Sequence, residues 1–178
     1  MFGARLKAKR GLQLYYGKMR SHQLLSYYQK SEFQNAKTRT SLFSLLESRV
    51  DAILTRTGFG INVFQVRQMI LSGFFTVNGD VIRSPSYALK VGDVLSVHQD
   101  LSMNQEHLEK RLLFLRKLMY YQAHMRKDVK KGTRRPSIPK YLEVDYSSLS
   151  VTLISSPKSG EIFYPSEVNL KMLREFRT

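Results

Sequence analysis

The dipeptide Asn78-Gly79 constrains this chain more than any other feature. It lies between Phe74-Phe75-Thr76-Val77 and Val81-Ile82-Arg83, two runs rich in strand-forming residues. A two-residue hairpin turn needs positive φ at both central positions, which Asn and Gly tolerate and β-branched residues do not. The two runs therefore read as antiparallel partners. Ser84-Pro85-Ser86-Tyr87 breaks the pairing, and Val91-Gly92-Asp93 turns the chain into a further strand over Val94–Val97.

Two helical patterns precede the hairpin. Ser41 is a candidate N-cap for a helix whose apolar positions Leu42, Leu45, Leu46, Val50, Ile53 and Leu54 are spaced by three and four, with Gly58 beyond its end. On this reading Arg49 and Arg56 lie two turns apart on one side of the helix. The bland alternative is solvated arginines, with Arg49 bridging to Asp51 or Glu47. A second helix starts near Asn62, turns Val63, Val66, Met69 and Ile70 inward, ends at Gly73, and leaves Arg67 and Gln68 on an accessible side.

The order of these elements resembles the ribosomal S-four RNA-binding domain, which also occurs in some synthetases, pseudouridine synthases and heat-shock proteins. The resemblance rests on Leu46-Glu47-Ser48-Arg49-Val50-Asp51, Arg56-Thr57-Gly58-Phe59, Val66-Arg67-Gln68-Met69-Ile70, Gly73, Val77-Asn78-Gly79, Pro85-Ser86-Tyr87 and Val91-Gly92-Asp93-Val94. It implies RNA-facing positions at Arg49 and Arg56 in the first helix and at Arg67 and Gln68 in the second. It implies further ones at Asn78 and Gly79 on the hairpin tip, and at Ser86, Tyr87 and Lys90 in the following loop. Val63 stands at a site commonly basic in the family, Ile61 at one commonly Ser, and Ser72 and Phe74 where histidines are frequent. These departures predict a neighbouring protein or a shifted RNA backbone at the start of the second helix.

Charge frames this module. Lys and Arg number 29 against 14 Asp and Glu, a net charge of +15, which calls for a polyanionic partner. Residues 1–40 are net +8, 41–100 neutral, 101–140 again +8, and 141–178 net −1. The N-terminal arm holds Arg5, Lys7, Lys9, Arg10, Lys18 and Arg20 around Tyr15 and Tyr16, with no acid before position 21. Cations interleaved with aromatic rings suit RNA. A mitochondrial transit peptide or a solvated tail shares that composition. Ser21 is a candidate cap for a helix through Leu24, Leu25, Tyr27 and Tyr28, whose tyrosines read as packing residues.

Residues 104–130 lack Pro and Gly and carry the stripe Leu108, Leu112, Leu115, Met119 and Gln122. Lys110, Arg111, Arg116, Lys117, Arg126 and Lys127 populate the rest of that helical surface, and Lys130, Lys131, Arg134 and Arg135 follow it. Beside an RNA-binding module, RNA contact is preferred to an anionic membrane or a calmodulin-like groove. Tyr141-Leu142-Glu143-Val144-Asp145 and Val151-Thr152-Leu153-Ile154 read as short extended segments. A final stretch with Leu170, Met172, Leu173 and Phe176 is expected to pack back on the N-terminal helices.

Together with Leu6-Lys7-Ala8-Lys9-Arg10, Tyr16-Gly17, Pro139-Lys140-Tyr141 and the segment at Pro165, the whole order is similar to the small-subunit ribosomal S-four protein family. The resemblance implies a structural protein that clamps a multi-helix junction of small-subunit rRNA during assembly. It implies contact with ribosomal protein S-five and other small-subunit proteins, proximity to mRNA where it enters the subunit, and an indirect effect on decoding accuracy. Bacterial members generally start with a further stretch that often bears zinc-binding cysteines. The shorter start here points to a mitochondrial version, with a plastid or bacterial cytoplasmic ribosome as alternatives.

The expected fold is α+β, an α-rich lobe from the N-terminal and basic helices plus an RNA-binding domain of two helices followed by a small hairpin-containing sheet. The expected segments are a basic arm and helix over 1–40, the RNA-binding domain over 41–100, the basic helix and linker over 101–140, and a C-terminal segment over 141–178 packed on the N-terminal lobe. The chain has no cysteine, which excludes disulfides, thiolate nucleophiles and cysteine-held metals. No apolar run suits a membrane span, and no signal-peptide core is present. His22, His98, His107 and His124 are scattered, and no G-x-S-x-G, H-E-x-x-H or P-loop string occurs. Arg49-Val50-Asp51 superficially resembles the Arg-Leu-Asp motif of pseudouridine synthases, whose Asp is the nucleophile. Here Asp51 is expected mid-helix, without a catalytic domain around it, stabilising the helix or pairing with an arginine. The expectation is no enzyme, no cofactor, no metal and no small-molecule substrate. A stand-alone RNA-binding chaperone or quality-control factor is the alternative, but such proteins lack the matching terminal motifs.

Overall fold

The computed structural model describes residues 2–38, 42–60, 62–98, Leu113, Lys117 and 138–158. The chain forms two compact units, the second spanning Glu47–Pro157.

In the first unit, α1 (Phe2–Tyr15) makes the N-terminal arm helical, where the sequence showed only a basic tract. Leu12 on this helix is buried, as are Tyr16 and Met19 just beyond its end. Gly17 and Lys18, both at positive φ, turn the chain into α2 (Ser21–Thr38). The cap lies one residue before the expected Ser21. The Leu24 N–H donates to the Arg20 carbonyl, while the Gln23 side chain accepts from the Arg20 N–H at 3.2 Å. Tyr15 and Tyr16 meet edge to face, centroids 5.2 Å apart, which fits packing rather than base stacking. A short α3 (Leu42–Glu47) follows, with Leu42, Phe43 and Leu46 buried.

The single helix expected over Leu42–Leu54 is broken. Arg49 takes an extended conformation (φ −71°, ψ 140°), so α4 (Val50–Thr57) begins anew after it and ends at Gly58 in the left-handed region. Arg49 brings no side-chain cap to α4. The free N–H groups of its first turn are met instead by loop carbonyls, Val50 by Tyr87 at 2.9 Å and Asp51 by Pro85 at 3.3 Å. The turn at Gly58–Gly60 is tight, and a Cβ at Gly60 would fall on the Val66 side chain. α5 (Val63–Leu71) is capped by Asn62, whose side chain accepts from the Gln65 N–H at 2.8 Å.

The sheet contains β1 (Phe75–Val77), β2 (Asp80–Ile82), β3 (Val94–Val97), β4 (Leu142–Asp145) and β5 (Ser150–Leu153). Its order is β2-β1-β3-β5-β4, antiparallel throughout. Alternation puts Phe75, Val77, Ile82, Leu95, Val97, Leu142, Val151 and Leu153 on one buried face. Phe59 meets Phe75 edge-on at 6.2 Å, joining the turn after α4 to that core. The structure moves one expected boundary. Residues 141–157 belong to the second unit, not to a tail on the N-terminal lobe, because β3 has one edge on β1 and β5 fills the other. The expected helix over 104–130 lies outside the described residues, as does the final stretch from 159. Leu113 and Lys117 alone are described there, both helical and exposed.

Asn78 (φ 53°) and Gly79 (φ 96°) close the hairpin as the sequence requires. A Cβ on Gly79 would meet nothing within 4 Å, so Gly79→Ala isolates the conformational cost. We expect a loss of about 1–2 kcal/mol, read as a lower urea midpoint. The β4–β5 turn is held by the Asp145 carboxylate, which accepts from the Ser147 hydroxyl, the Ser148 hydroxyl at 2.7 Å and the Ser147 N–H at 2.8 Å. These donors, the Ser147 hydroxyl foremost, lower its pKa from 3.8 to about 2. The folded pKa is the depressed one, so the turn's stabilisation is complete above pH 3.8 and is lost as pH falls through about 2. Carboxyl chemical shifts followed over that range should place the Asp145 midpoint near the lower value, and replacing both serines by alanine should return it toward the ordinary one.

Candidate nucleic-acid interface

Two carboxylates at the α3–α4 break organise the arginines expected to face RNA. Asp51 stands in the first turn of α4, where a negative charge is favoured by the helix dipole, rather than mid-helix. Its Oδ1 accepts from Arg49 Nε at 3.0 Å and its Oδ2 from Arg49 Nη2 at 2.8 Å. Oδ2 also accepts from Arg67 Nε at 2.9 Å, with Arg67 Nη2 at 2.9 Å. Glu47, fully buried, is gripped by Arg56 through Nε at 3.0 Å and Nη2 at 2.6 Å, and its Oε2 accepts from the Tyr141 hydroxyl at 3.0 Å. Buried ions are tolerable only with this kind of complete, bidentate pairing.

The two arginines expected on one face go to different carboxylates, Arg49 to Asp51 and Arg56 to Glu47. Arg49 is 6% exposed at its side chain, and its fork is turned inward on Asp51. Arg56 (17%) and Arg67 (23%) keep a partial outer edge. The same geometry bears on Asp51 as a nucleophile. Both of its oxygens are engaged by guanidinium groups and only 2% of the side chain is exposed, leaving no approach for a nucleobase. Among the described residues no cluster of His, Asp or Glu could hold a metal ion, and no helix is long and apolar enough to cross a membrane.

The remaining expected positions lie outward. Gln68 is exposed on α5. Asn78 is exposed but committed, its Nδ2 donating to Asp93 Oδ1 and its Oδ1 accepting from the Val94 N–H, both at 3.0 Å. This side chain joins the hairpin tip to the turn before β3, so the tip offers Gly79 and backbone. Ser86, Tyr87 and Lys90 are exposed on one loop. Arg83 was missed by sequence reasoning, although it is one of only five Lys and Arg residues in 41–100. It is exposed where β2 runs into that loop. In the first unit Arg10, Lys18 and Arg20 are exposed and Lys9 is half-buried. Arg5 and Lys7 lie on α1 with side chains outside the described set. Lys117 is exposed, whereas Lys110, Arg111, Lys130, Lys131, Arg134 and Arg135 lie outside the described residues.

Because Asn has nearly the shape of Asp, Asp51→Asn removes charge alone and strands the buried Arg49. We expect a destabilisation of about 3–5 kcal/mol in urea unfolding. A loss below about 1 kcal/mol would contradict this reading of the cluster.

Residues 48–95 match the S4 domain family. The chain is 32% identical to the small ribosomal subunit protein uS4 of Ruegeria sp. (strain TM1040) over 175 residues, 98% of this chain and 75% of that protein. It is 32% identical to the uS4 protein of Caulobacter vibrioides (strain NA1000 / CB15N), covering 98% and 76% of the two chains. To the uS4 protein of Cereibacter sphaeroides (strain ATCC 17025) it is 33% identical, covering 98% and 75%. The similarity thus runs through the arm, the ion-paired module and the C-terminal segments alike, and the chain belongs to the small ribosomal subunit protein uS4 family.

Proposed function

We propose that this protein is a structural constituent of the small ribosomal subunit that binds small-subunit rRNA through its S4 domain and basic flanks. The observation that carries this reading is similarity to uS4 proteins along 98% of the chain. The charge distribution supports it, with two strongly basic segments around a neutral folded module. Such a module presents a few fixed cations on a rigid frame, and the basic flanks supply the sequence-independent attraction to phosphates. The rRNA element it clamps is a multi-helix junction, where converging phosphates repel one another. Its further contacts are ribosomal protein S-five, other small-subunit proteins and the mRNA entrance, from which it affects decoding accuracy indirectly. Our reading of its place is a mitochondrial ribosome, with a plastid or bacterial cytoplasmic ribosome as the alternatives; the relatives reported above are bacterial. No bond is made or broken in this role.

Sedimentation of the tagged chain through a sucrose gradient, with small- and large-subunit rRNA probed across the fractions, tests the reading. Co-migration with small-subunit rRNA is expected, and absence from those fractions would overturn it. With about six phosphates engaged, affinity for that rRNA should fall about 10³-fold or more between about 50 and 200 mM salt. A flat response would mean that the basic flanks serve another purpose.

A further inference from the structure

The turn that closes the β1–β2 hairpin carries a reactive pair of groups. Asn78-Gly79 is the one Asn-Gly step in the chain, since Asn35, Asn62, Asn104 and Asn169 each precede a residue with a side chain. A backbone nitrogen approaches a neighbouring side-chain amide most readily when it belongs to glycine, which has no Cβ in the way. Asn78 and Gly79 are both exposed, and a Cβ at Gly79 would meet nothing within 4 Å, so the tip has both water and room.

The Asn78 amide is nevertheless tied down. Its Nδ2 donates to Asp93 Oδ1 and its Oδ1 accepts from the Val94 N–H, both at 3.0 Å. The Asn78 N–H also donates to the Val94 carbonyl at 2.9 Å. Asp93 is itself fixed, its Oδ2 accepting from the Lys90 N–H at 2.8 Å and its N–H donating to the Lys90 carbonyl at 3.1 Å. Both polar atoms of the Asn78 side chain are thus bound to the turn that enters β3.

We propose that Asn78 is a self-modification site that deamidates at Gly79, and that Asp93 and the Val94 N–H form a clasp holding the reaction off in the folded protein. In the first step the Gly79 nitrogen attacks Asn78 Cγ. The new N–Cγ bond closes a succinimide, the Cγ–Nδ2 bond breaks, and Nδ2 leaves as ammonia with the proton from the Gly79 nitrogen. Water then adds to either ring carbonyl, giving aspartate or isoaspartate. Presenting Cγ to that nitrogen requires the amide to rotate, which breaks both bonds of the clasp. The change runs one way. Aspartate at this position sets an acceptor where Asp93 Oδ1 needs a donor, so two carboxylates face each other and the clasp does not reclose. Isoaspartate also adds a methylene to the main chain of a two-residue turn whose geometry fits the strands only at its normal length. The inference stands apart from the rRNA-binding reading.

The test incubates the full-length protein in mildly alkaline buffer, with and without urea. Trypsin digestion in heavy-oxygen water then gives any conversion during digestion its own mass label. Asn78 is the only asparagine between Arg67 and Arg83, so the peptide ending at Arg83 reports it, and enzymatic methylation counts the isoaspartate. The folded parent should convert about tenfold or more slower than the urea sample, the factor that two ordinary hydrogen bonds supply. Asp93→Ala, its fold checked by circular dichroism, should convert about threefold to tenfold faster than the folded parent. Stability gives a second readout, which decides the matter even if Asp93→Ala does not fold. Asn78→Asp should lower the urea midpoint, and combining it with Asp93→Asn should restore it. The exchanged amide then donates to residue 78 while its oxygen still accepts from the Lys90 N–H. Equal conversion with and without urea, a folded Asp93→Ala no faster than the parent, or an exchange variant no more stable than Asn78→Asp alone would each overturn the clasp. No conversion of Asn78 in urea would overturn the site itself.

Discussion

The buried carboxylates of Asp51 and Glu47 are the constraint on which the RNA-binding module depends. Neither carboxylate could be enclosed without cationic partners, since the desolvation cost of an isolated carboxylate far exceeds what packing returns. Each is met by a guanidinium fork, and Asp51 by two. Satisfying those forks requires Arg49 to leave helical geometry, which breaks α3 from α4. It also requires α5 to bring Arg67 to the same oxygen, and β4 to begin where Tyr141 reaches Glu47. These charge-assisted bonds therefore tie together the end of α3 at Glu47, α4, α5 and the start of a remote strand.

The break then decides what the surface offers. A continuous helix would have bonded the Val50 and Asp51 N–H groups internally. Interrupted, it leaves them to the carbonyls of Tyr87 and Pro85, and the loop after the hairpin is drawn into a fixed position. The arginines at the helices are paired with carboxylates, while Arg83 and Lys90 stand exposed outside them. A module with no net charge can in this way still offer a local positive edge, while the basic flanks provide attraction at longer range.

Much of the fold was legible because its determinants are local. Asn62 caps α5 through its own side chain, Gly58 ends α4 at positive φ, and Asn78-Gly79 closes the hairpin. Each depends on residues within a few positions. The α3–α4 break was not legible, because Leu42 through Leu54 keep a helical spacing that continues across it. Nor was the place of β4 and β5. Their extended character was evident, but antiparallel pairing with β3 involves residues more than fifty positions away, and alternation alone does not name a partner strand. At the candidate site, the arginines were found as residue types, but which carboxylate each would meet was not. Arg83 was passed over since no helical pattern contains it.

The sequence by itself determined that this chain carries a folded, neutral module between cationic segments, and where its hairpin and helix ends fall. Those properties follow from charge counting and from the backbone preferences of Asn, Gly and the apolar residues. Only the tertiary structure decided which cations are internal ties and which meet solvent. An Arg has the same charge in either role, and its role is settled by whether folding brings a carboxylate within reach of its fork and removes the water between them.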